Sequence, residues 1–432
     1  MSRLDDELQA RLESLGQAGL RRALRRIDSP QGIRIECDGE SRVNFSSNDY
    51  LGLAMHPAVC ESAARALRDF GAGSGASRLI CGSLGIHHQL EERIARFKQT
   101  GSALTFSSGY ATALGTIGAL VGKGDVVIVD KLVHACVIDA VRLSGATIRI
   151  FKHNDLSELE DHLRWGRREC DKAPEGSGAP PGAPASSRQM LVIVESVYSM
   201  DGDLAPLRDI VELKERHGAW LMVDEAHGTG LFGAGRRGVV EAMELSGRVE
   251  IQMGTLGKAL GASGGYIAGS RLLIDWLVNR ARSFIFSTAP PPAAAGAALG
   301  GLEVVESAEG EELRRGLWSR VDRVKEVVLE AGWALPPVQS PILPLLVGEE
   351  SRAMEVARGL AADGFLQRNN KQFHFFNKGY KTFEDFLGTI ASRKRKVIRR
   401  ERKDALSAGI EIEWATGKGL NEAHWDAFFT FY

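Results

Sequence analysis

Three side chains that could carry acid–base and covalent chemistry follow two apolar segments of the chain. Asp224 ends the run LMVD and is followed three residues later by His227. Lys258 lies in the segment MGTLGKALG, where flanking glycines leave a lysine little steric cover. Taken singly, Asp224 could be a helix cap, His227 a buried histidine and Lys258 a solvated amine. In open α/β sheets, however, ligands bind beyond the carboxyl ends of the strands, which would bring these three side chains together.

This set of side chains matches what pyridoxal 5′-phosphate (PLP) chemistry requires. The cofactor needs a lysine for its Schiff base, an acid that keeps the pyridine nitrogen protonated and a donor to the phenolic oxygen. Lys258, Asp224 and His227 are the candidates for these roles, in that order. The sequence therefore predicts an enzyme that uses PLP as its cofactor and has no metal site.

Further candidates follow other predicted strands. The segment FSSGYA, with Ser108, Gly109 and Tyr110, precedes a helical stretch, and the free backbone N–H groups of a helix N-terminus can hold a phosphate. His134 follows the run DVVIVD, where an imidazole could lie flat against a cofactor ring. The segment ESVYSMDGD, residues 195–203, ends a third run with hydroxyl and acidic groups. A plain turn and a surface histidine are the alternatives for the first two, but all these strand ends converge on one edge of one sheet.

Short, apolar, β-prone runs alternate with helical stretches from about residue 100 onward. The runs are Asp125–Asp130, Thr147–Phe151, Met190–Glu195, Ala219–Asp224 and Val249–Met253. Runs that are apolar on both faces and separated by helices indicate a mostly parallel sheet covered by helices on both sides, so we predict an α/β fold. Before it, leucines at nearly helical spacing predict one amphipathic helix over residues 1 to about 27 that packs on a neighbour.

The composition is that of an ordinary soluble globular chain. The 432 residues are 44% hydrophobic and 25% charged, which excludes disorder and collagen and allows two or three domains. The net charge of −1 predicts no general attraction to nucleic acid or anionic lipid. No apolar run is long enough for a membrane span and the N-terminus lacks the features of a signal peptide, so we expect a cytoplasmic protein. Five scattered cysteines without a CxxC indicate neither a disulfide framework nor a zinc site.

The later part of the chain departs from this alternating pattern. Residues 172–188 contain four prolines and no large apolar residue, which predicts a surface loop inside the α/β domain. After a small-residue stretch at Ala289–Leu299, a long charged helix and a strand at Ser340–Val347 predict a smaller mixed domain. Beyond Leu366 the composition becomes aromatic-rich and then strongly basic.

Eight basic residues cluster in this last segment, namely Arg393, Lys394, Arg395, Lys396, Arg399, Arg400, Arg402 and Lys403. A contact with nucleic acid or a membrane surface is one hypothesis for them. A solvated helix face is the favoured reading, so we expect neither partner.

Six motifs together resemble the α-oxoamine synthase family of fold type I PLP enzymes. They are NFSSNDYLGL from Asn44, GAGSGASRLICG from Gly71, ESVYSMDGDLAPL, VDEAHGTGLFG, GTLGKALGASGGYIAG and FIFSTAPPP. The resemblance covers about residues 1 to 365 and implies an acyltransferase that condenses an amino acid with an acyl thioester, with loss of carbon dioxide. Within the family, SPILPLLVG and the overall pattern most resemble the 8-amino-7-oxononanoate synthases of biotin biosynthesis, which join L-alanine to pimeloyl-CoA or its carrier-protein thioester. Glycine C-acetyltransferase and serine palmitoyltransferase types are the alternatives.

The resemblance implies a role for each matching position around the cofactor. Lys258 would form the Schiff base, Asp224 would bond the pyridine nitrogen and His134 would stack on the ring. The phenolic oxygen side would be bonded by His227 and Ser199. The remaining positions, towards the phosphate, are Ser108, Gly109, Tyr110 and Thr255.

Other matching positions concern the substrate and a second subunit. Ser287 and Thr288 resemble residues that reach the cofactor phosphate of a neighbouring subunit, which implies a homodimer with shared active sites. Asn48 and Arg25 match positions near the substrate, and Arg26 beside Arg25 leaves that register open.

The chain departs from the family after Leu366. The family continues there with a strand that carries an arginine for the amino acid carboxylate, whereas this chain continues QRNNKQFHFFNKGY. Loss of that arginine removes a strong charge-assisted pair, so a PLP-binding but inactive chain is a further alternative. From residue 369 the segments FHFFNKGYKTFEDFL, ASRKRKVIRRERK and HWDAFFTFY resemble the opening of a GNAT-like, FemAB-like acyltransferase. A genuine fusion, a frame error and an assembly chimera would each produce such a junction.

The predicted organisation has four parts. These are an N-terminal helical segment (1–45), a large PLP-binding α/β domain (46–288), a small and incomplete C-terminal α+β domain (289–366) and an unrelated GNAT-like fragment (367–432).

Overall fold

The computed structural model describes residues 2–17, 20–172 and 188–348, with residues 352, 353, 356, 359, 365 and 366 further along. These residues belong to one compact unit that ends at Asn369, close to the boundary predicted at 366/367. The predicted surface loop, apart from its two end residues, and the predicted GNAT-like fragment lie outside the described residues. Among the described helices, none combines the length and apolar character required to cross a bilayer.

The N-terminal segment is a helix followed by a β-hairpin. Helix α1 spans Arg3–Gln17, and strands β1 (Arg34–Cys37) and β2 (Glu40–Asn44) pair in antiparallel register. The single helix predicted over residues 1–27 is therefore too long, because residues 26–28 pair with the hairpin through the Ile27↔Cys37 bridge. Within this chain α1 buries none of its residues, so the neighbour expected for it is not among the described elements.

A seven-stranded sheet forms the centre of the molecule. Its strands are β3 (Ser102–Phe106), β4 (Val126–Asp130), β5 (Thr147–Phe151), β6 (Met190–Glu195), β7 (Trp220–Asp224), β8 (Ile251–Thr255) and β9 (Gly265–Gly269). Their spatial order is β3-β9-β8-β7-β6-β4-β5. Only β9 runs antiparallel to its neighbours β3 and β8, so the prediction of a mostly parallel sheet is confirmed.

The boundaries of β8 differ from those predicted. The apolar run predicted a strand at Val249–Met253, but the strand occupies Ile251–Thr255. Pairing with β9 decides this, because the antiparallel ladder extends to Thr255↔Gly265. The end of β8 therefore lies closer to Lys258 than the sequence pattern indicated.

Helices cover the sheet on both faces. They are α2 (Pro57–Phe70), α3 (Gly85–Lys98), α4 (Gly109–Leu120), α5 (Ala135–Ser144), α6 (Leu156–Cys170), α7 (Leu207–His217), α8 (Val239–Ala242), α9 (Arg271–Arg280), α10 (Arg282–Ile285), α11 (Pro292–Glu306) and α12 (Ala308–Glu330). Successive residues of β4 show the two layers: Val127 and Val129 pack with α4 and α5, whereas Val126 and Ile128 pack with α6 and α7. This alternation explains why the parallel strands are apolar throughout.

Helix α11 belongs to the same core as α2 and α3. Its buried residues Ala295, Ala298 and Leu302 share one apolar cluster with Leu90 of α3 and Val59 of α2. The boundary predicted at 288/289 therefore does not separate two packed units.

The strand predicted at Ser340–Val347 is absent from the described residues, since that segment makes no ladder. Pro341 and Pro344 each lack the N–H that a ladder requires, which accounts for the irregular backbone. Further along, the two-residue strand β10 (Phe365–Leu366) pairs with β2 in parallel.

Candidate active site

The candidate site lies at the carboxyl edge of the central sheet. Glu195 and Asp224 end the adjacent parallel strands β6 and β7 in register with each other. Thr255 ends β8, the next strand along the sheet. His227 lies in the turn that follows β7, and Lys258 lies in the turn between β8 and β9. The common direction of β6, β7 and β8 therefore brings chemically active groups from three strand ends to one edge, as the sequence predicted.

The amine of Lys258 and the imidazole of His227 are in direct contact. Lys258 Nζ lies 2.8 Å from His227 Nε2. On the other side of the ring, His227 Nδ1 lies 2.6 Å from the hydroxyl of Tyr50. His227 is buried and Lys258 is half-buried, so the row of three polar groups extends from the interior to the site.

Asp224 is a buried carboxylate whose charge needs a partner. Burial raises the pKa of Asp224, and the nearby Lys258 ammonium opposes that rise. One of its oxygens accepts a hydrogen bond from the backbone N–H of Ala226 at 2.9 Å. The charge of His134 also acts on Asp224, which places three of the predicted site residues within electrostatic range of one another.

Glu195 connects two loops that carry predicted site residues. Its carboxylate accepts a hydrogen bond from the backbone N–H of His134 at 2.5 Å and another from the backbone of Ser199. Burial, together with the charge of Asp224, raises the pKa of Glu195 to about 8. Glu195 therefore holds the start of α5 and the loop after β6 against the same strand end.

The N-terminus of α4 faces the end of β8. Ser108 is the N-cap of this helix, and its hydroxyl accepts from the backbone N–H of Ala111 at 3.0 Å. A Cβ added at Gly109 would lie 2.7 Å from Cγ2 of Thr255, so only glycine fits there. The hydroxyl of Thr255 is buried and has no hydrogen-bond partner among the described residues. First-turn N–H groups without intrahelical acceptors thus lie beside an unsatisfied hydroxyl.

The other predicted site residues make their contacts at different places. Tyr110 follows Gly109 in α4, and its exposed hydroxyl donates to Asp139 at 2.8 Å. Thr288 forms a β-bridge with Ser77, and Ser287 lies beside it.

The two predicted substrate positions lie in the N-terminal part of the chain. Asn48 precedes Tyr50 and accepts its backbone N–H at 2.9 Å. Arg25 is exposed, and its charge acts on the thiol of Cys37 in β1. The structure thus brings Lys258, Asp224, His227 and His134 together. Asn48 is connected to this group through Tyr50, whereas Arg25 interacts with β1.

Two residues of this site received no role in the sequence analysis, which noted Glu195 only as part of the segment 195–203 and did not single out Tyr50. Glu195 is detectable in the sequence, because it ends an apolar run in the same way as Asp224 does. Tyr50 has no such local signal, since 177 residues separate it from His227.

Comparison with known families gives two matches along the chain. The family model for class I and II aminotransferases matches residues 40–382. A second model, for FemAB-like proteins of peptidoglycan biosynthesis or recognition, matches residues 351–432. The second match agrees with the FemAB-like resemblance of the tail.

Curated relatives and solved structures agree with the first match. The chain is 46% identical to 8-amino-7-oxononanoate synthase of Geobacter sulfurreducens over 354 residues, 82% of this chain and 86% of that one. It is 42% identical to the enzyme of the same name from Thermoanaerobacter pseudethanolicus over 359 residues, 83% of this chain and 86% of that one.

Among solved structures, serine palmitoyltransferase of S. paucimobilis with a bound PLP adduct gives a TM-score of 0.74 at 28% identity, over 84% of this chain and 91% of that one. An 8-amino-7-oxononanoate synthase from Francisella tularensis gives 0.62 at 25% identity, over 75% and 87%. These matches confirm the fold type I architecture predicted from the sequence. The chain belongs to the class I and II aminotransferase family, among the relatives of 8-amino-7-oxononanoate synthase.

Proposed function

We propose that this chain is a PLP-dependent acyltransferase. It would condense L-alanine with a pimeloyl thioester of CoA or a carrier protein, release the thiol and carbon dioxide, and form 8-amino-7-oxononanoate for biotin biosynthesis. The meeting of an amine, an imidazole and a buried carboxylate at one sheet edge carries this proposal. The identity to synthases of that name supports the choice of reaction.

The groups at the N-terminus of α4 fit the phosphate of PLP. Thr255 has a buried hydroxyl that lacks a partner among the described residues, and it would donate a hydrogen bond to a phosphate oxygen. Gly109 leaves space that any side chain would fill. The N-terminal N–H groups and dipole of α4 favour an anion at the same place. Ser108, Gly109, Tyr110 and Thr255 would therefore hold the phosphate.

The carboxylate of Asp224 fits the ring nitrogen. Its burial favours the protonated acid, so its ionised form requires a cationic partner in the same pocket. A protonated pyridine nitrogen is such a partner, and the pair would stabilise both charges. Asp224 would thus keep the ring nitrogen protonated, with His134 placed to stack on the ring and His227 and Ser199 on the phenolic side.

Lys258 would move the proton in the reaction. When bound, PLP supplies an aldehyde that reacts with amines and a protonated ring that accepts electrons from the amino acid α-carbon. The amine of Lys258 would act as the base that removes the proton from that carbon. His227, which contacts Nζ, would orient the amine. Asn48 and Arg25 would contact the substrate.

A homodimer with shared active sites is part of this proposal. Three large apolar side chains around the bridge that holds Thr288 are exposed, namely Leu79, Ile80 and Phe286. Exposed apolar groups of this size commonly mark an interface between chains. A second copy seated there would cover them and bring Ser287 and Thr288 towards its own cofactor. Sedimentation of the purified protein at the mass of one chain would exclude this arrangement.

Two other functions remain as alternatives. Similarity to serine palmitoyltransferase structures favours a related synthase that uses serine or glycine in place of alanine. The sequence after Leu366, which lacks the family's arginine, favours a chain that binds PLP in the cytoplasm without turnover. Bound PLP together with the absence of any ketone product would distinguish this second alternative from an active synthase.

One set of assays tests the proposal. The purified chain, loaded with PLP, is mixed with alanine, glycine or serine and with pimeloyl, acetyl or palmitoyl thioesters, and the ketone product is identified by mass spectrometry. We expect product from alanine and the pimeloyl thioester, and loss of the visible absorbance of lysine-bound PLP in Lys258→Ala. Product only from glycine or serine would assign the chain to a sister activity. Bound PLP without any product would support the inactive alternative.

A further inference from the structure

The hydroxyl of Tyr50 reaches the active amine through a single histidine. Tyr50 contacts Nδ1 of His227 at 2.6 Å, and Nε2 of the same ring contacts Nζ of Lys258 at 2.8 Å. The two rings also meet edge to face, with centroids 5.9 Å apart and an interplanar angle of 66°.

The segment that carries Tyr50 is held firmly from within. The carboxylate of Asp49 accepts hydrogen bonds from the backbone N–H of Leu53 at 2.8 Å and of Ala54 at 3.2 Å. Leu51 and Leu53 are buried in the core shared by α2, α3 and α11. Tyr50 therefore projects from a segment whose backbone is fixed on both sides of it.

The same segment packs directly on the turn that carries Lys258. A Cβ at Gly261 would lie 2.4 Å from the carbonyl carbon of Leu53. The backbone N–H of Gly261 donates to the carbonyl of Lys258 at 2.9 Å. Contact between these two backbones fixes the distance between Tyr50 and Lys258, with His227 between them.

A donor at one nitrogen of a neutral imidazole determines where its proton lies. Neutral histidine has one N–H and one bare nitrogen, and the bare nitrogen is the one that accepts. We propose that Tyr50 is a positioning residue: its hydroxyl donates to Nδ1 of His227 and thereby keeps the proton on Nε2, which faces Lys258.

This arrangement would favour the neutral amine of Lys258. An Nε2–H can donate a hydrogen bond to the lone pair of a neutral amine. An ammonium has only donors, so it cannot accept this hydrogen bond and is disfavoured beside the N–H. The carboxylate of Asp224 favours the ammonium of Lys258, and Glu195 does so only at a pH where it is ionised. His134 is another titratable group near these two carboxyls. These groups are unchanged when only Tyr50 is altered, so a difference between variants reports on Tyr50. The same Nε2–H would serve the phenolic oxygen of PLP, and this second consequence rests on the proposed function.

The first test uses the cofactor-free protein and Tyr50→Phe, which keeps the ring contact and removes the hydroxyl. The rate of reductive methylation of Lys258 by formaldehyde and cyanoborohydride, which supplies the hydride, is followed against pH by peptide mass spectrometry, because only the neutral amine reacts. We expect the midpoint of the profile to move to higher pH by about 0.5 to 1 unit, the equivalent of one hydrogen bond. A midpoint equal to that of the wild type would overturn the proposal.

Tyr266→Phe is the matched control. Tyr266 belongs to β9 and is buried, and its hydroxyl lies 2.8 Å from that of Thr229. The variant therefore also loses one hydrogen bond of a buried tyrosine hydroxyl. Its methylation profile is expected to match the wild type. An equal shift in both variants would show a general effect of destabilisation and would also overturn the proposal.

Nitrogen NMR of His227 in the cofactor-free wild type keeps the test available if Tyr50→Phe does not fold. The nitrogen shifts show which ring nitrogen carries the proton, and we expect a bare Nδ1 and a protonated Nε2. A proton on Nδ1 of the neutral ring would contradict the direction of the hydrogen bond and overturn the proposal.

The second test uses the PLP-loaded protein. The pH at which its visible absorbance changes should rise in Tyr50→Phe, because the phenolic oxygen loses a fixed donor and holds a nearby proton more strongly. A wild type that does not retain PLP would refute the proposed function, while the methylation profile still decides the role of Tyr50. Retention of PLP with unchanged profiles in both tests would leave the proposed function standing and refute the role of Tyr50.

Discussion

Glu195 and Asp224 are two buried carboxyl groups that end neighbouring parallel strands directly opposite each other. Burial raises the pKa of both groups, and the charge of Asp224 adds to the rise at Glu195, whose pKa reaches about 8. Two carboxylates so close cannot both ionise at low cost. Glu195 therefore holds a proton near neutral pH, and Asp224 is the member of the pair that can face a cationic ring nitrogen.

This proton makes the stability of the cofactor-free protein depend on pH. An unfolded glutamate has a pKa near 4.5, so between about pH 4.5 and 8 the folded chain holds a proton that the unfolded chain has released. The contribution of Glu195 to the free energy of unfolding therefore falls as the pH rises through this window. Glu195→Gln stays neutral and should lose less stability than the wild type between these limits, as measured by urea unfolding. Parallel pH curves for the two proteins would contradict the assigned pKa, and Glu92→Gln, which alters an exposed carboxylate, is the control.

His153 joins two carboxylates close to the same strand ends. Its Nδ1 lies 3.0 Å from Asp130 and its Nε2 lies 2.7 Å from Asp203, which belongs to the loop that carries Ser199. Burial lowers the pKa of His153, but the hydrogen bonds and charges of Asp130 and Asp203 outweigh it and raise the pKa to about 9. The imidazolium therefore anchors the loop after β6 near neutral pH.

Removal of this cation should cost stability in a pH-dependent way. His153→Gln should lower the free energy of unfolding by about 2 kcal/mol below pH 6.5, the ordinary pKa of histidine. Because the folded pKa is raised, the contribution of His153 is complete below 6.5 and is lost as the pH rises through about 9. Urea unfolding should show a smaller difference in the free energy of unfolding between wild type and His153→Gln at about pH 10 than at about pH 6. A constant difference would mean that the hydrogen bonds, not the charge, stabilise the loop; the exposed His88→Gln is the comparison.

The parallel strands were predictable because each is an apolar run with its own boundaries. Four of the five predicted runs match strands to within one residue. The fifth, β8, begins and ends two residues later in the chain than predicted, because its ladder with β9 extends to Thr255. Strands β3 and β9 were not predicted, because β9 reads GYIAG and its place depends on partners distant in the sequence. The hairpin of β1 and β2 did have a local signal in Asp38 and Gly39, both with positive φ, a pair favoured in two-residue turns.

The site was predictable to the extent that strand ends determine it. Asp224, His227 and Lys258 follow strands whose common direction places them together, and this could be inferred from spacing alone. Tyr50 comes from a segment that reaches the site only through packing against the turn at Gly261, which no periodicity in the sequence reveals.

Thr255→Val tests whether the buried hydroxyl serves a phosphate. Valine keeps the shape of threonine and removes an oxygen that lacks a partner among the described residues, so the cofactor-free protein should unfold at the same or a higher urea concentration. Affinity for PLP should fall about 10- to 100-fold, because a hydrogen bond to a charged group is lost. The affinity for pyridoxal, which has no phosphate, should not change. Equal losses for both ligands would place the effect on the ring and not on the phosphate.

Two glycines of α4 give the matched pair for the space beside that phosphate. Gly109→Ala would bring a Cβ to within 2.7 Å of Cγ2 of Thr255, whereas Gly118→Ala would meet no atom within 4 Å. The same substitution therefore has opposite effects along one helix. Gly118→Ala should leave the free energy of unfolding unchanged or raise it by up to about 1 kcal/mol, since alanine favours a helix. Gly109→Ala should lower it by about 1 to 3 kcal/mol and weaken PLP binding, because it overpacks the junction of α4 with β8. Thermal unfolding and titration with PLP measure both effects, and equal stability and affinity in the two variants would show that Gly109 is not required to keep this space open.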